Sequence, residues 1–212
     1  MDKYQETFNT WDRIAKRYQD QFMGLDLYDD TYNVFLGLIQ KTNASILDIG
    51  CGPGNITKYL LTQNPNLSIK GIDISKNMIQ LAKKNNPTAV FEIMDTRNLL
   101  SIDKTFDAIV CGFCIPYMSQ QDCKKFITNC RYLLKNFGIL YLSFVSGDYD
   151  NSGFISGSTN DRTYFYYHNL DMIKKELEIN AFTIIKEFTK KYITSNSLSE
   201  NHTVLIAIMK QK

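Results

Sequence analysis

Ile46-Leu47-Asp48-Ile49-Gly50-Cys51-Gly52-Pro53-Gly54-Asn55 is the stretch on which the reading of this chain turns. An apolar run ends in three glycines spaced by single residues, and a helical pattern follows. Glycine has no Cβ, so such a turn can take positive φ and let a ligand touch the backbone. A helix opening after the turn, here read as starting at Pro53, offers free N–H groups. Strand, glycine turn and helix in that order place a ligand outside the carboxyl ends of the strands, where the sheet order reverses.

Working outward, Gly71-Ile72-Asp73 stands nineteen residues beyond Gly54 and ends a second apolar run. An acid about 20 residues past a glycine turn can accept hydrogen bonds from a ribose diol. Short apolar runs at Ser45–Ile49, Leu67–Asp73, Ala89–Ile93, Phe106–Cys111 and Ile139–Val145 read as buried strands. Ser75 is placed to N-cap a helix whose face carries Met78, Ile79, Leu81 and Ala82. A later helix shows Cys123, Phe126, Ile127, Cys130, Leu133 and Leu134 at the 3.6-residue period. Strands alternating with helices give βαβ units and a parallel sheet, an α/β three-layer sandwich of Rossmann-like type.

The end of the chain breaks the alternation. After a helix marked by Leu170, Ile173 and Leu177 come two strand-like runs, Phe182–Ile193 and Thr203–Lys210. The polar loop Thr194–His202 between them is too short for a parallel crossover, so they form an antiparallel hairpin. The mostly parallel sheet therefore carries an antiparallel last strand. Residues 1–41 read as helices ahead of the first strand, with Trp11, Ile14, Ala15 and Tyr18 on one face. Residues 146–168, rich in Gly, Ser, Asn and Asp and ending in Tyr164-Phe165-Tyr166-Tyr167-His168, read as a lid over the carboxyl edge.

The 212 residues fit one domain, 1–212. A net charge of +2 gives no field for nucleic acid or an anionic membrane, and no apolar run approaches spanning length. The N-terminus is too polar for a signal peptide, and five cysteines suit reduced thiols in the cytoplasm.

The turn reads Gly-x-Gly-x-Gly, with Asn55 where a dinucleotide fingerprint would have its last glycine, and no Walker lysine follows. Asp48 would be awkward beside a pyrophosphate and suits a ligand with a cationic part. These residues resemble the first motif of the class I S-adenosylmethionine-dependent methyltransferases. Gly71-Ile72-Asp73-Ile74-Ser75 with Met78, Met94-Asp95-Thr96, Phe106-Asp107-Ala108-Ile109-Val110 and Leu133–Leu140 resemble the later ones in order. Trp11–Tyr18 is similar to the N-terminal helix of the small-molecule branch.

The resemblance implies a seven-stranded sheet in the order 3-2-1-4-5-7-6, S-adenosylmethionine as cofactor and a small-molecule methyl acceptor. By position it implies that Gly50, Cys51 and Gly52 pack against the methionine part and that Asp73 holds the ribose. Ile74 and Met78 would sandwich adenine, Asp95 would accept from its amino group, and Thr96 would lie beside the ring. Cys111 would offer its carbonyl to the ammonium, and Tyr18 would reach the carboxylate.

Two signals are set aside. Cys111-Gly112-Phe113-Cys114 has CxxC spacing but no second pair, so no metal is expected. Ile115-Pro116-Tyr117 resembles the end of the Asn/Asp-Pro-Pro-Tyr motif of amino-methylating nucleic-acid enzymes. Cys114 replaces its polar residue, which counts against a base as substrate. Tyr117 remains a candidate lining the acceptor pocket and His168 a candidate general base, with Arg162 a possible partner for an acidic substrate. A non-catalytic binder of the same cofactor and a nucleotide-dependent oxidoreductase are the competing classes.

Overall fold

β1 (Ser45–Ile49) is buried at every residue, the condition of a strand covered on both faces. The computed structural model describes residues 2–156, 161–193 and 199–211. In it β1 sits inside a sheet with β2 (Ser68–Asp73), β3 (Val90–Ile93), β4 (Phe106–Gly112) and β5 (Leu134–Val145), all parallel. A separate two-stranded hairpin, β6 (Gly153–Ser156) and β7 (Arg162–Phe165), follows. β8 (Phe182–Ile193) and β9 (Ser199–Met209) then return to the main sheet, with β9 antiparallel to both β5 and β8. The order is β3-β2-β1-β4-β5-β9-β8. Leaving out the inserted hairpin and renumbering, this is the expected 3-2-1-4-5-7-6. Of the loop expected over Thr194–His202, residues 194–198 lie outside the described residues, and β9 already begins at Ser199.

Seven helices cover the sheet among the described residues: α1 (Lys3–Arg13), α2 (Ala15–Phe22), α3 (Asp29–Leu38), α4 (Asn55–Gln63), α5 (Lys76–Asn85), α6 (Gln120–Leu133) and α7 (Leu170–Ile179). The period-2 rule of a strand divides the core in two. Leu47 and Ile49 of β1 face the side of α6 and α7, while Ile46 faces α3 and α4. On β9, Leu205, Ala207 and Met209 join the first side, and Val204 and Ile206 the second. His202 falls on that second face, toward the segment that leads into α3.

Local chemistry fixes the ends of these elements. Ser75 caps α5 by accepting from the Met78 N–H, as its position suggests. Asp12 of α1 reinforces the cap, accepting from Ser75 Oγ at 2.7 Å and the Asn77 N–H at 2.9 Å. The N-terminal helical region breaks at Ile14 (φ −94°, ψ 10°), so Trp11 and Tyr18 stand on separate helices. The helix after the glycine turn starts at Asn55 rather than Pro53, because Gly54 takes a left-handed φ of +81° as its cap. β5 begins at Leu134, directly after α6, five residues before the apolar run that marked it. No helix among the described residues is long and apolar enough to cross a membrane.

Candidate active site

The carboxyl edge of the sheet opens into a cavity of about 560 Å³. Each parallel strand contributes its end: Gly50–Gly52 after β1, Asp73 and Ile74 at the end of β2, Asp95–Arg97 after β3, Gly112–Cys114 at the end of β4, and Val145 from β5. β8 ends at this edge and β9, being antiparallel, starts there, so Tyr192, Glu200 and His202 join the wall.

At the glycine turn, Gly50, Gly52 and Gly54 have φ of +68°, +54° and +81°, a region that strains any residue with a Cβ. A Cβ on Gly50 would meet Cys114 Sγ at 2.6 Å, so close packing demands glycine there too. Gly52 has more room, with Tyr18 Cε1 at 3.7 Å from the corresponding point. Asp73 holds the turn in place. Its Oδ2 accepts from the Gly52 N–H and its Oδ1 from the Ser75 N–H, both at 2.9 Å. A carboxylate has about four acceptor sites, so both oxygens keep capacity for a hydroxyl pair. Burial raises the Asp73 carboxyl above its usual range.

Asp48 lies beneath the turn, fully buried, on the face of β1 toward α4. Its Oδ2 accepts from Thr57 Oγ at 2.6 Å, and its Oδ1 has no partner among the described residues. Burial, with the nearby Asp73 carboxylate, pushes its carboxyl up to about 7 against the opposing Thr57 bond. Tyr18 covers Gly52, and burial beside Asp73 pushes its phenol up to about 12.

Met78 and Ile74 line the next part of the wall, with Thr96 and Asp95. Arg97 grips the Asp95 carboxylate through Nε, Nη2 and its own backbone N–H. Burial opposes ionisation of Asp95, but these bonds outweigh it and hold the carboxyl below its usual range. They also occupy the acceptor capacity that the resemblance implied for an adenine amino group. The Arg97 guanidinium lies over Tyr4 and Phe8, 4.8 and 5.7 Å from their ring centres.

Two expected site residues stand elsewhere. Cys111 is fully buried and does not line the cavity, whereas its neighbour Gly112 does. His168 is also fully buried and outside the cavity, with Nε2 2.9 Å from the Ile115 carbonyl oxygen. Burial lowers its pKa, and the ring is sealed behind the backbone of Ile115, away from the cavity. Arg162 is paired with Glu6.

Within residues 146–168 the aromatic run turns inward. Tyr166 is buried and Phe165 reaches the cavity, edge-on to Tyr117 at 5.8 Å. The β6–β7 hairpin is fastened to α1 by Thr10 Oγ donating to the Arg162 carbonyl and the Tyr164 N–H donating to Thr7 Oγ, both at 2.9 Å. The expected lid residues 157–160 lie outside the described residues. Tyr117 lines the cavity as expected; burial keeps its phenol protonated far above neutrality, which suits a wall or a donor rather than a base.

Sequence reading missed a second cluster. Tyr28, Phe113, Tyr192, Glu200 and His202 meet at the far end of the cavity. Tyr28 and His202 are 174 residues apart, so no local spacing announces them. The signal available was period 2: His202 shares a face with Val204 and Ile206, a polar residue opening an apolar row.

Residues 46–138 match a family described as a methyltransferase domain. A protein of Invertebrate iridescent virus 6 named as a methyltransferase, 235L, is 40% identical over 85 residues, covering 40% of this chain and 32% of that protein. The demethylmenaquinone methyltransferase of Thermotoga maritima is 29% identical over 135 residues, 62% of this chain and 58% of the relative. The tRNA N(3)-methylcytidine methyltransferase trm141 of Schizosaccharomyces pombe is 26% identical over 167 residues, 74% of this chain and 67% of the relative. The chain thus spans about a third to two thirds of the length of these relatives. Among solved structures, magnesium protoporphyrin IX methyltransferase from Synechocystis PCC 6803, with bound S-adenosylmethionine, shares the fold. Its TM-score is 0.72 at 16% identity, over 99% of this chain and 98% of that one.

Proposed function

We propose that this chain, a member of the class I S-adenosylmethionine-dependent methyltransferases, transfers the methyl group of S-adenosylmethionine to a small-molecule acceptor by in-line displacement. The observation that carries the reading is the convergence of a positive-φ glycine turn and a strand-end Asp73 on one cavity with an excess of acid. Six carboxylates line it, Asp26, Asp29, Asp73, Asp95, Asp122 and Glu200, against two cations, Lys58 and Arg97. Beneath the turn lies the unpartnered oxygen of Asp48. A ligand with a sulfonium and an ammonium is attracted to such a wall, and a dinucleotide pyrophosphate is repelled.

The residues that would hold S-adenosylmethionine are Tyr18, Gly50, Cys51, Gly52, Asp73, Ile74, Met78 and Thr96, with Asp95 acting through its Arg97 pair. When bound, the cofactor supplies an electrophilic methyl. The protein's task is positioning, because a displacement gains most from fixed geometry. The aromatic wall of Trp11, Tyr18, Tyr117 and Phe165 excludes water from that geometry. The acidic lining also opposes a phosphate backbone, which favours a small acceptor over nucleic acid. Five free thiols suit a reducing cytoplasm.

Calorimetry with S-adenosylhomocysteine and with NADH tests the cofactor. Binding of the first alone is expected; binding of NADH alone would overturn the reading. A metabolite screen following S-adenosylhomocysteine release then separates an enzyme from a binding protein.

A further inference from the structure

We propose that Tyr28, His202 and Glu200 form a proton relay at the acceptor end of the cavity, and that the acceptor is a ring-bearing hydroxyl of phenol type. The proposal rests on the methyl-transfer reading above. Tyr28 stands just ahead of α3, and His202 and Glu200 lie at the start of β9. Tyr28 Oη is 2.5 Å from His202 Nδ1, and His202 Nε2 is 3.3 Å from Glu200 Oε2. All three line the cavity.

The order of the partners fixes the proton positions. A carboxylate accepts and cannot donate, so Nε2 carries the hydrogen toward Glu200. Nδ1 is then the acceptor, and the Tyr28 hydroxyl donates to it. Burial pushes the Tyr28 phenol up as it does Tyr117, so Tyr28 can take a proton only as it releases its own to Nδ1, and its oxygen keeps a lone pair for a hydroxyl arriving in the cavity. Burial lowers the His202 pKa against the opposing pull of Glu200, so the ring rests neutral at pH 7 with Nδ1 free to accept, and Glu200 favours the imidazolium once a proton arrives.

The surroundings select a flat ring. Phe113 packs its ring 4.7 Å from His202 and 5.3 Å from Tyr28, and Tyr192 stacks on His202 at 4.9 Å. Phe113 does so with φ of +53°, a left-handed conformation that strains a residue with a side chain. Its N–H is tied to the Ser143 carbonyl at 3.0 Å, which holds the strained turn. The titratable neighbours include two phenols and a lysine. Tyr18 and Tyr192 are phenols, and Lys190, opposite His202 across the β8–β9 ladder, donates to Asp30 at 2.6 Å.

The step balances. An acceptor oxygen lone pair forms the new C–O bond, and the C–S pair stays on sulfur, discharging the sulfonium. The acceptor proton passes to Tyr28 Oη as the Tyr28 proton passes to Nδ1, leaving an imidazolium paired with Glu200. Glu200, with its side chain 41% exposed, passes the proton to solvent. A carboxylate acceptor would bring no proton and would face Glu200; a neutral amine attacks before it loses its proton. A weakly acidic hydroxyl is what a neutral imidazole can serve.

The test uses 4-nitrophenol, whose phenolate is yellow, with protein saturated by S-adenosylhomocysteine. The bound phenol is expected to ionise about one pH unit lower than the free phenol, a tenfold shift. His202→Gln and Tyr28→Phe should each lose that shift, and Glu200→Gln should reduce it about threefold. All three variants should keep S-adenosylhomocysteine affinity within about twofold, since none lies at the glycine turn. Glu200→Gln, at a half-exposed position, keeps the test open should the buried variants unfold. No binding of 4-nitrophenol by the wild-type complex at millimolar concentration, or an undiminished shift in folded variants, overturns the relay. Failure of the wild type to bind S-adenosylhomocysteine would instead remove the methyl-transfer reading.

Discussion

The two ends of the cavity are built in different ways. At the glycine turn, the wall is made by the ends of adjacent parallel strands, and its residues sit within a few positions of Gly50, Asp73 and Asp95. At the other end, Tyr28, Phe113, Tyr192 and His202 come from the N-terminal segment, the turn after β4, β8 and β9. The first end is held by backbone: the Asp73 carboxylate ties Gly52 to the start of α5. The second is held by side-chain rings and one short Tyr28–His202 bond. Backbone geometry suits a constant ligand, whereas ring packing can be exchanged residue by residue. On the proposed reading, the turn would serve the cofactor and the ring cluster the acceptor.

The largest break in this comparison should come from Gly52→Val. The backbone there holds φ of +54°, which a β-branched residue adopts only with strain, and the side chain would enter the ligand space under Tyr18. A melting experiment should show a folded variant whose transition no longer rises with S-adenosylhomocysteine. A normal ligand-induced rise would detach the turn from the cofactor.

Asp73→Asn should have the next largest effect. The amide keeps one acceptor but loses the charge that two backbone N–H groups and a ribose would share. Hydrogen bonds to a charged acceptor contribute about 1.5–3 kcal/mol, so affinity for S-adenosylhomocysteine should fall roughly 10–150-fold by calorimetry. Unchanged affinity would mean that Asp73 serves the turn alone, through Gly52 and Ser75.

These two positions were legible in the sequence because glycine φ and strand-end acids act locally. The sheet was legible for the same reason, with Ser45–Ile49 and Phe182–Ile193 marked by their own apolar pattern. His202 was not, because its partner Tyr28 is supplied by tertiary packing. His168 misled because it follows an aromatic run that folds inward and buries it behind Ile115. Cys111 misled by one position, since its side chain packs into the core beneath the sheet while Gly112, the last residue of β4, lines the cavity.

Asp48 sharpens the comparison through pH. Its carboxyl lies near 7 in the fold against 3.8 in an ordinary setting. A carboxyl raised by folding binds its proton more tightly in the native state. Its contribution is therefore full below the unfolded value and is lost as pH rises through about 7. The free protein should lose up to about 1.4 kcal/mol per pH unit across this window from that one group. Asp48→Asn, which retains an acceptor for Thr57, should flatten the slope in denaturant unfolding between those limits. It should also weaken S-adenosylmethionine binding about tenfold through loss of the counter-charge. Equal slopes in variant and wild type would show that Asp48 is not the titrating group.

The smallest effect should come from the hairpin, whose proposed role is to cover the acceptor beside Tyr117. β7 hangs from α1 through Thr7 and Thr10, and Phe165 carries its influence to Tyr117. The hairpin is therefore fastened to α1. Thr7→Val keeps the volume of a buried side chain but leaves the Tyr164 N–H without its acceptor. A lost bond of this kind costs about 0.5–1.5 kcal/mol, so amides of 153–156 and 161–165 should exchange roughly 2–13-fold faster. Affinity for S-adenosylhomocysteine should stay within about twofold, because the turn and Asp73 do not touch the hairpin. In the wild type, S-adenosylhomocysteine alone should leave these amides almost as fast as in the free protein, and added 4-nitrophenol should slow them. That order is what a cover for the acceptor requires, since its contacts lie with Tyr117 rather than with the glycine turn. Full slowing by S-adenosylhomocysteine alone would assign the hairpin to the cofactor end and erase the division between the two.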